Sequence, residues 1–214
     1  MTDMAPSFDA DFRGRLETLI AWRRDVRRFS ERAVPEPAID HLLDIAQLAP
    51  SVGNSQPWRI IRVESSEKRD AIRENFLKSN AEALAAQDEK HAAVYARLKL
   101  AGLDAAPVQL AVFCDRATPQ GHGLGSRTMP ETLDYSVVGM IAGLWLTARA
   151  AGLGLGWVSI LDPLAVSVAL GAPDSYKFIA FLCLGWPEEE HVDPELVRNG
   201  WQSRTAAGRH VVTV

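Results

Sequence analysis

The spacing of apolar positions changes along this chain, and each change marks an element. Leu16, Leu19 and Ile20 recur at helical intervals within Phe12–Arg24, which predicts a first helix. It runs into the basic stretch Arg23-Arg24-Asp25-Val26-Arg27-Arg28-Phe29, read as a charged, extended segment. Pro35 and Pro37 open a second helix with Ile39, Leu42, Leu43 and Ala46 on one face, and Pro50 ends it near Ala49. The β-branched run Trp58–Val63 predicts a strand, as do Val108–Cys114, Leu155–Ile160 and Phe178–Leu184. A long buried helix is expected over Glu131–Ala151, closed by Gly152 as a left-handed cap. Asp162 and Pro163 supply the N-cap and first-turn proline of a short helix that ends at Gly171.

Three segments carry weaker patterns. Ser66–Leu103 is rich in Ala, Glu and Lys with little amphipathic order, so residues 66–103 are expected to form mobile helices rather than core, a candidate lid. Asp115–Pro130, with Gly121, Gly123 and Gly125, reads as a flexible loop. Residues 187–214 show no core-like periodicity before Val211, Val212 and Val214, and such a tail needs another surface to order it. A partner subunit is the expected surface. No repeat or linker divides the chain, and helices and strands without regular βαβ alternation predict one α+β domain over residues 1–214.

Composition narrows the function. With 214 residues, 47% apolar and 23% charged, the chain can bury an ordinary core without disulfides or metal. Its longest apolar stretch, Val137–Ala148, is interrupted by glycines and falls short of the roughly 20 residues that cross a bilayer. Asp3, Asp9 and Asp11 precede any apolar run, unlike a secretory signal, so no membrane and a cytoplasmic location are expected. Cys114 and Cys183 lie in apolar runs, where cysteine acts as a small hydrophobe. The histidines have no paired metal spacing, so no metal is expected. A net charge of −4 argues against a nucleic-acid partner. Any anionic ligand must therefore meet a local cluster of arginines.

Three constellations could carry chemistry, and each has a plainer reading. Arg23, Arg24, Arg27 and Arg28 surround Asp25; guanidinium forks suit phosphate and carbonyl groups, or else the cluster is a solvated helix end. The loop Ala49-Pro50-Ser51-Val52-Gly53-Asn54-Ser55-Gln56-Pro57-Trp58 lets backbone approach a ligand, or is turn chemistry alone. Gly152-Leu153-Gly154-Leu155-Gly156-Trp157-Val158-Ser159 is either a ligand approach or a helix cap with close strand packing.

Taken together and in this order, these three motifs resemble the nitroreductase superfamily of FMN enzymes, over about Leu19 to Arg204. The resemblance implies a nitroreductase-like fold, a central mixed sheet flanked by helices, and a homodimer with flavin sites at its interface. Asp25 in the basic motif, the run Gly156-Trp157-Val158-Ser159-Ile160-Leu161-Asp162-Pro163 and the stretch Arg127–Tyr135 are similar to the branch that makes 5,6-dimethylbenzimidazole, the lower ligand of vitamin B12. That branch implies reduced FMN (FMNH2) consumed as substrate with dioxygen, erythrose 4-phosphate as second product, and a separate flavin reductase as supplier.

Carried onto this chain, the resemblance implies that Arg23, Arg24, Asp25, Val26 and Arg27 line the flavin, with Arg204 at its phosphate and Lys99 a further contact. Ser51 and Asn54 would approach from the partner subunit, and Ser159 would lie near flavin N5 and C4a. Asp25 and Ser159 are the candidate catalytic residues, and the surrounding arginines are expected to favour the Asp25 carboxylate. The rival readings are an NAD(P)H-dependent nitroreductase or flavin reductase with recycling FMN, and a flavin-storage protein.

Overall fold

A computed structural model of the chain describes residues 5–95, 102–205 and 211–214. Its centre is an antiparallel sheet built on one long strand. The strands are β1 (Phe29–Ser30), β2 (Trp58–Arg62), β3 (Val108–Asp115), β4 (Gly154–Val158) and β5 (Tyr176–Pro187). One edge of β5 pairs with β3, which carries β2 on its far side; the other pairs with β4, and Trp186–Pro187 pair with β1. Among the described residues, parallel pairing is an isolated bridge between Asp25 and Leu155, which gives the sheet its mixed character.

Because side chains alternate along a strand, β3 feeds two cores. Val108, Leu110, Val112 and Cys114 face one, while Ala111 and Phe113 face the other. Both faces are covered, so the strand is apolar but for Asp115 at its end and the buried Gln109, whose amide donates to Leu103 O at 2.9 Å. The first core is closed by α2 (Glu36–Ala46) and α6 (Thr132–Ala150), through Ile39, Leu42, Val137, Met140, Ile141 and Leu144. The second is closed by α3 (Ser66–Ala85), α5 (Gly102–Ala105) and α7 (Pro163–Leu170). Asp162 caps α7 by accepting from the Leu164 and Ala165 amides at 2.9 and 3.2 Å, and Gly152 follows α6 with φ +75°.

Some expectations need correction. α3 is not cover alone, because Ile72 is fully buried in the second core: one apolar residue in the right register anchors a helix whose composition is polar. β4 ends at Val158, leaving Ser159 beyond it, whereas β5 runs further than its apolar stretch because backbone pairing carries it to Pro187. The glycine loop is braced rather than loose. A side chain at Gly53 would meet Leu124 O at 2.9 Å, and the Gln120 amide donates to Asn54 O at 2.8 Å.

The remaining helices are α1 (Ala10–Trp22), α4 (Glu89–Tyr95) and α8 (Glu195–Arg198). α1 buries none of its residues and leaves Phe12, Leu16 and Ile20 exposed. The first part of the tail packs on its own chain, where Trp201 meets the rings of His91 and Tyr95. Among the described residues, no helix is long and apolar enough to cross a membrane.

Candidate functional site

Glycine packing places Asp25. Arg23 closes α1 by donating its amide to Leu19 O at 2.9 Å, and the chain then lies flat along β4. Val26 N–H donates to Leu155 O at 3.1 Å, and Trp157 N–H donates to Asp25 Oδ1 at 2.8 Å. This approach leaves no room for side chains on β4. A Cβ at Gly156 would lie 2.0 Å from Val26 O, and one at Gly154 would lie 2.7 Å from Val26 Cγ2. Of the two readings of the glycine segment, a helix cap with close packing is therefore the one displayed.

The arginine cluster divides in two. Arg28 pairs with Glu189, and Arg27 Nε lies 3.5 Å from Asp25 Oδ2 and 3.9 Å from Glu195 Oε2. Glu189, bonded by His191 and Arg28, is held down at about 2. Arg24 instead donates to main-chain oxygens, including Val192 O at 2.6 Å, and Arg23 lies over the Trp145 ring, 4.8 Å from its centre. Among the described residues, no carboxylate lies within ion-pair distance of Arg23, Arg24 or Arg204. Burial lowers the Arg24 pKa, and repulsion from Arg204 and Arg23 lowers it further. Arg23, Arg24 and Arg204 thus lie near enough to repel one another, with Asp193 offsetting part of that charge at Arg24, and guanidinium groups of this kind suit a phosphate.

Asp25 departs from expectation. Its pKa is raised, because burial in the surrounding protein outweighs the Trp157 amide and Arg27, while Glu195 pushes it up further. The side chain still keeps 35% of its surface exposed, so its enclosure is partial. The expected lowering fails because burial outweighs Arg27, while Arg28 is engaged on Glu189 and Arg24 on carbonyls. A carboxyl with a raised pKa exchanges protons nearer neutral pH.

The other expected residues are placed unevenly. Val26 lines the clefts beside Asp25, and exposed Ser159 lies one residue beyond the β4 end that holds Asp25. Ser51 and Asn54 border none of these clefts. They belong to a strained turn: Ser51 Oγ accepts from the Gln56 amide at 3.0 Å, while Asn54 and Gln56 have φ of +54° and +43°. Lys99 lies outside the described residues. Sequence reasoning missed Trp145, whose indole N–H donates to Arg24 O at 3.0 Å, and the acids of the tail. The run Glu188–Glu195 is opposite in sign to Arg23–Arg28, a signal that could have flagged the pairing. Nothing marked Trp145 within its apolar stretch.

Helices on both faces of an antiparallel sheet, with the Arg23–Val26 segment lying along β4, define an α+β fold. Residues 20–186 match the model of the nitroreductase family, and the chain belongs to that family. It is 58% identical to a 5,6-dimethylbenzimidazole synthase of Rhodospirillum rubrum over 93% of this chain and 94% of the relative, and 47% identical to one of Rhodobacter capsulatus over 92% and 95%. In fold it is similar to an iodotyrosine deiodinase solved with FMN and 3-iodo-L-tyrosine (TM-score 0.70, 24% identity, 82% of this chain and 91% of that one). A nitroreductase-like protein of Streptococcus mutans is also similar (TM-score 0.69, 16% identity, 94% and 98%).

Proposed function

We propose that the protein fragments reduced FMN with dioxygen, giving 5,6-dimethylbenzimidazole, the lower ligand of vitamin B12, and erythrose 4-phosphate. Flavin is then a consumed substrate, and a separate reductase supplies it. The observation that carries this reading is the placement of Asp25, bonded by the Trp157 amide, 3.5 Å from Arg27 and with its pKa raised, next to the cations Arg23 and Arg24. The 58% identical relative bearing the synthase name supports it.

Bound FMNH2 would supply the electrons for oxygen chemistry and the carbon skeleton of the product. Arg23, Arg24 and Arg204 would hold its phosphate. Arg27 would orient the ribityl chain and pyrimidine edge, while Asp25 would take protons from the fragmenting chain and return them. Ser159, exposed beyond β4, would lie by the ring. The clefts bordering Asp25 measure about 40, 30 and 10 Å³, far below the several hundred that a bound organic ligand occupies. The ring therefore belongs at the open face of the subunit.

A homodimer completes that face in this reading, with the partner's Ser51 and Asn54 covering the flavin. The exposed apolar residues Phe12, Leu16 and Ile20 on α1, with Tyr135 and Val138 on α6, support such an interface. α4, held against Trp201 through His91 and Tyr95, would act with α3 as the described part of a lid over residues 66–103 that keeps water from the reacting ring.

The test is aerobic incubation with excess FMNH2, read by the fluorescence of a benzimidazole product, beside NADPH oxidation with a nitroaromatic. Product with stoichiometric loss of flavin supports the proposal. Sustained NADPH turnover with intact flavin overturns it in favour of a recycling reductase.

A further inference from the structure

Asp25 and Glu195 share one guanidinium nitrogen. Arg27 Nε is 3.5 Å from Asp25 Oδ2 and 3.9 Å from Glu195 Oε2, and the Arg27 and Glu195 side chains keep only 14% and 12% of their surface exposed. Water screens the Arg27–Glu195 contact weakly, and Asp25, which keeps 35% of its surface exposed, more strongly. Glu195 is held there by structure: it opens α8 after Pro194, and the Trp201 amide donates to Leu196 O at 2.8 Å while its ring packs on His91 and Tyr95.

We propose that Glu195 is a positioning residue of the Asp25 site: it draws Arg27 away from full pairing with Asp25 and so leaves that carboxyl able to bind and release a proton. This deepens the function proposed above and rests on it for what Asp25 does. The electrostatic link itself needs no flavin. One cation between two carboxylates leaves a net negative charge, and the second carboxylate disfavours ionisation of the first. With Glu195 neutral, Arg27 and Asp25 would form a simple pair and Asp25 would ionise more easily.

The other charges around Asp25 are already committed. On its own segment, Arg24 binds the Val192 carbonyl and Arg28 binds Glu189. From the tail, Glu189 also takes His191 and Arg198, and Asp193 acts on Arg24. From β5, the Cys183 thiol is pushed up to about 12 by burial and stays neutral. Among the described residues, Glu195 is the acid besides Asp25 that meets Arg27.

Carbon-detected NMR titration of the Asp25 carboxyl in flavin-free protein tests this, comparing the parent with Glu195→Gln, Glu195→Asp and Glu190→Gln. Glu190 lies on the same tail but pairs with Arg149, so it controls for general disturbance. Glu195→Gln is expected to weaken proton binding at Asp25 about tenfold, Glu195→Asp less, and Glu190→Gln under twofold. An unchanged or strengthened Asp25 proton affinity in Glu195→Gln, or an equal change in Glu190→Gln, overturns the proposal. Product formation from FMNH2 measured against pH on the same variants separates the two proposals. A shifted titration with no product from any protein keeps the Glu195 link and removes the proposed function; product with an unshifted titration does the reverse.

Discussion

Gly156→Ala is the most direct perturbation of the site's geometry. The new methyl would lie 2.0 Å from Val26 O, against the 3.0 Å that real Cβ contacts almost never undercut, so the Asp25–Val26 segment must retreat by about 1 Å. The retreat strains the Val26 to Leu155 hydrogen bond, worth about 1 kcal/mol, and the Trp157 to Asp25 bond, worth about 1.5–3 kcal/mol for a charged acceptor. A loss of about 2–4 kcal/mol is expected, a large part of the roughly 5–15 kcal/mol that holds a domain. At about 2–4 °C per kcal/mol, the melting temperature should fall by about 5–15 °C. A displacement of about 1 Å at a reacting group costs on the order of 10²-fold in rate, so product formation should drop accordingly. Gly14→Ala provides the opposite control: nothing lies within 4 Å of its added methyl on exposed α1, and helix propensity predicts a gain of up to about 1 kcal/mol. Calorimetry and FMNH2 turnover on both variants decide it. A Gly156→Ala protein that melts with the parent and keeps its rate would refute the packing argument.

Asp25→Asn is expected to cut product formation by at least about 10²-fold with FMN affinity within about tenfold of the parent; the opposite split would mean that Asp25 only neutralises arginines. Because the Asp25 pKa is raised, its stability contribution is present at low pH and lost as pH rises through the folded value, so this variant should be at least as stable as the parent at pH 7 in urea unfolding. Glu189 has the reverse sign: held at about 2 against an ordinary 4.5, it stabilises above 4.5 and loses that effect towards pH 2. Glu189→Gln should therefore be weaker than the parent at neutral pH, with the gap closing as pH falls from 4.5 to 2; a constant gap would exclude the ion pair as its cause. Ile72→Ala should cost about 2–5 kcal/mol if α3 is anchored in the core, whereas a purely covering helix would tolerate it. Val138→Glu on α6 should shift sedimentation from dimer to monomer; an unshifted dimer would place the interface elsewhere.

Local patterns in the sequence were enough for what depends on neighbours along the chain. Runs rich in apolar and β-branched residues marked four of the strands and the buried helix, because burial is written in local composition; Asp162 and Gly171 announced the ends of α7 because caps are local hydrogen bonds. The family resemblance of Arg23–Phe29 and Ala49–Trp58 was legible for the same reason, as contiguous motifs. Three features depended on tertiary structure. Ile72 entered the core although its helix is polar, since one residue suffices when α7 and the sheet present the matching surface. The alternating glycines of β4 acquired their reason only when Val26 came to lie on them. The direction of the Asp25 shift reversed, because sequence shows four arginines nearby but neither the burial that raises its pKa nor that the tail, some 170 residues away, binds Arg24 through Val192 and Arg28 through Glu189 while setting Glu195 against Arg27. Electrostatics is a sum over everything within several ångströms, and only the folded chain fixes which charges those are.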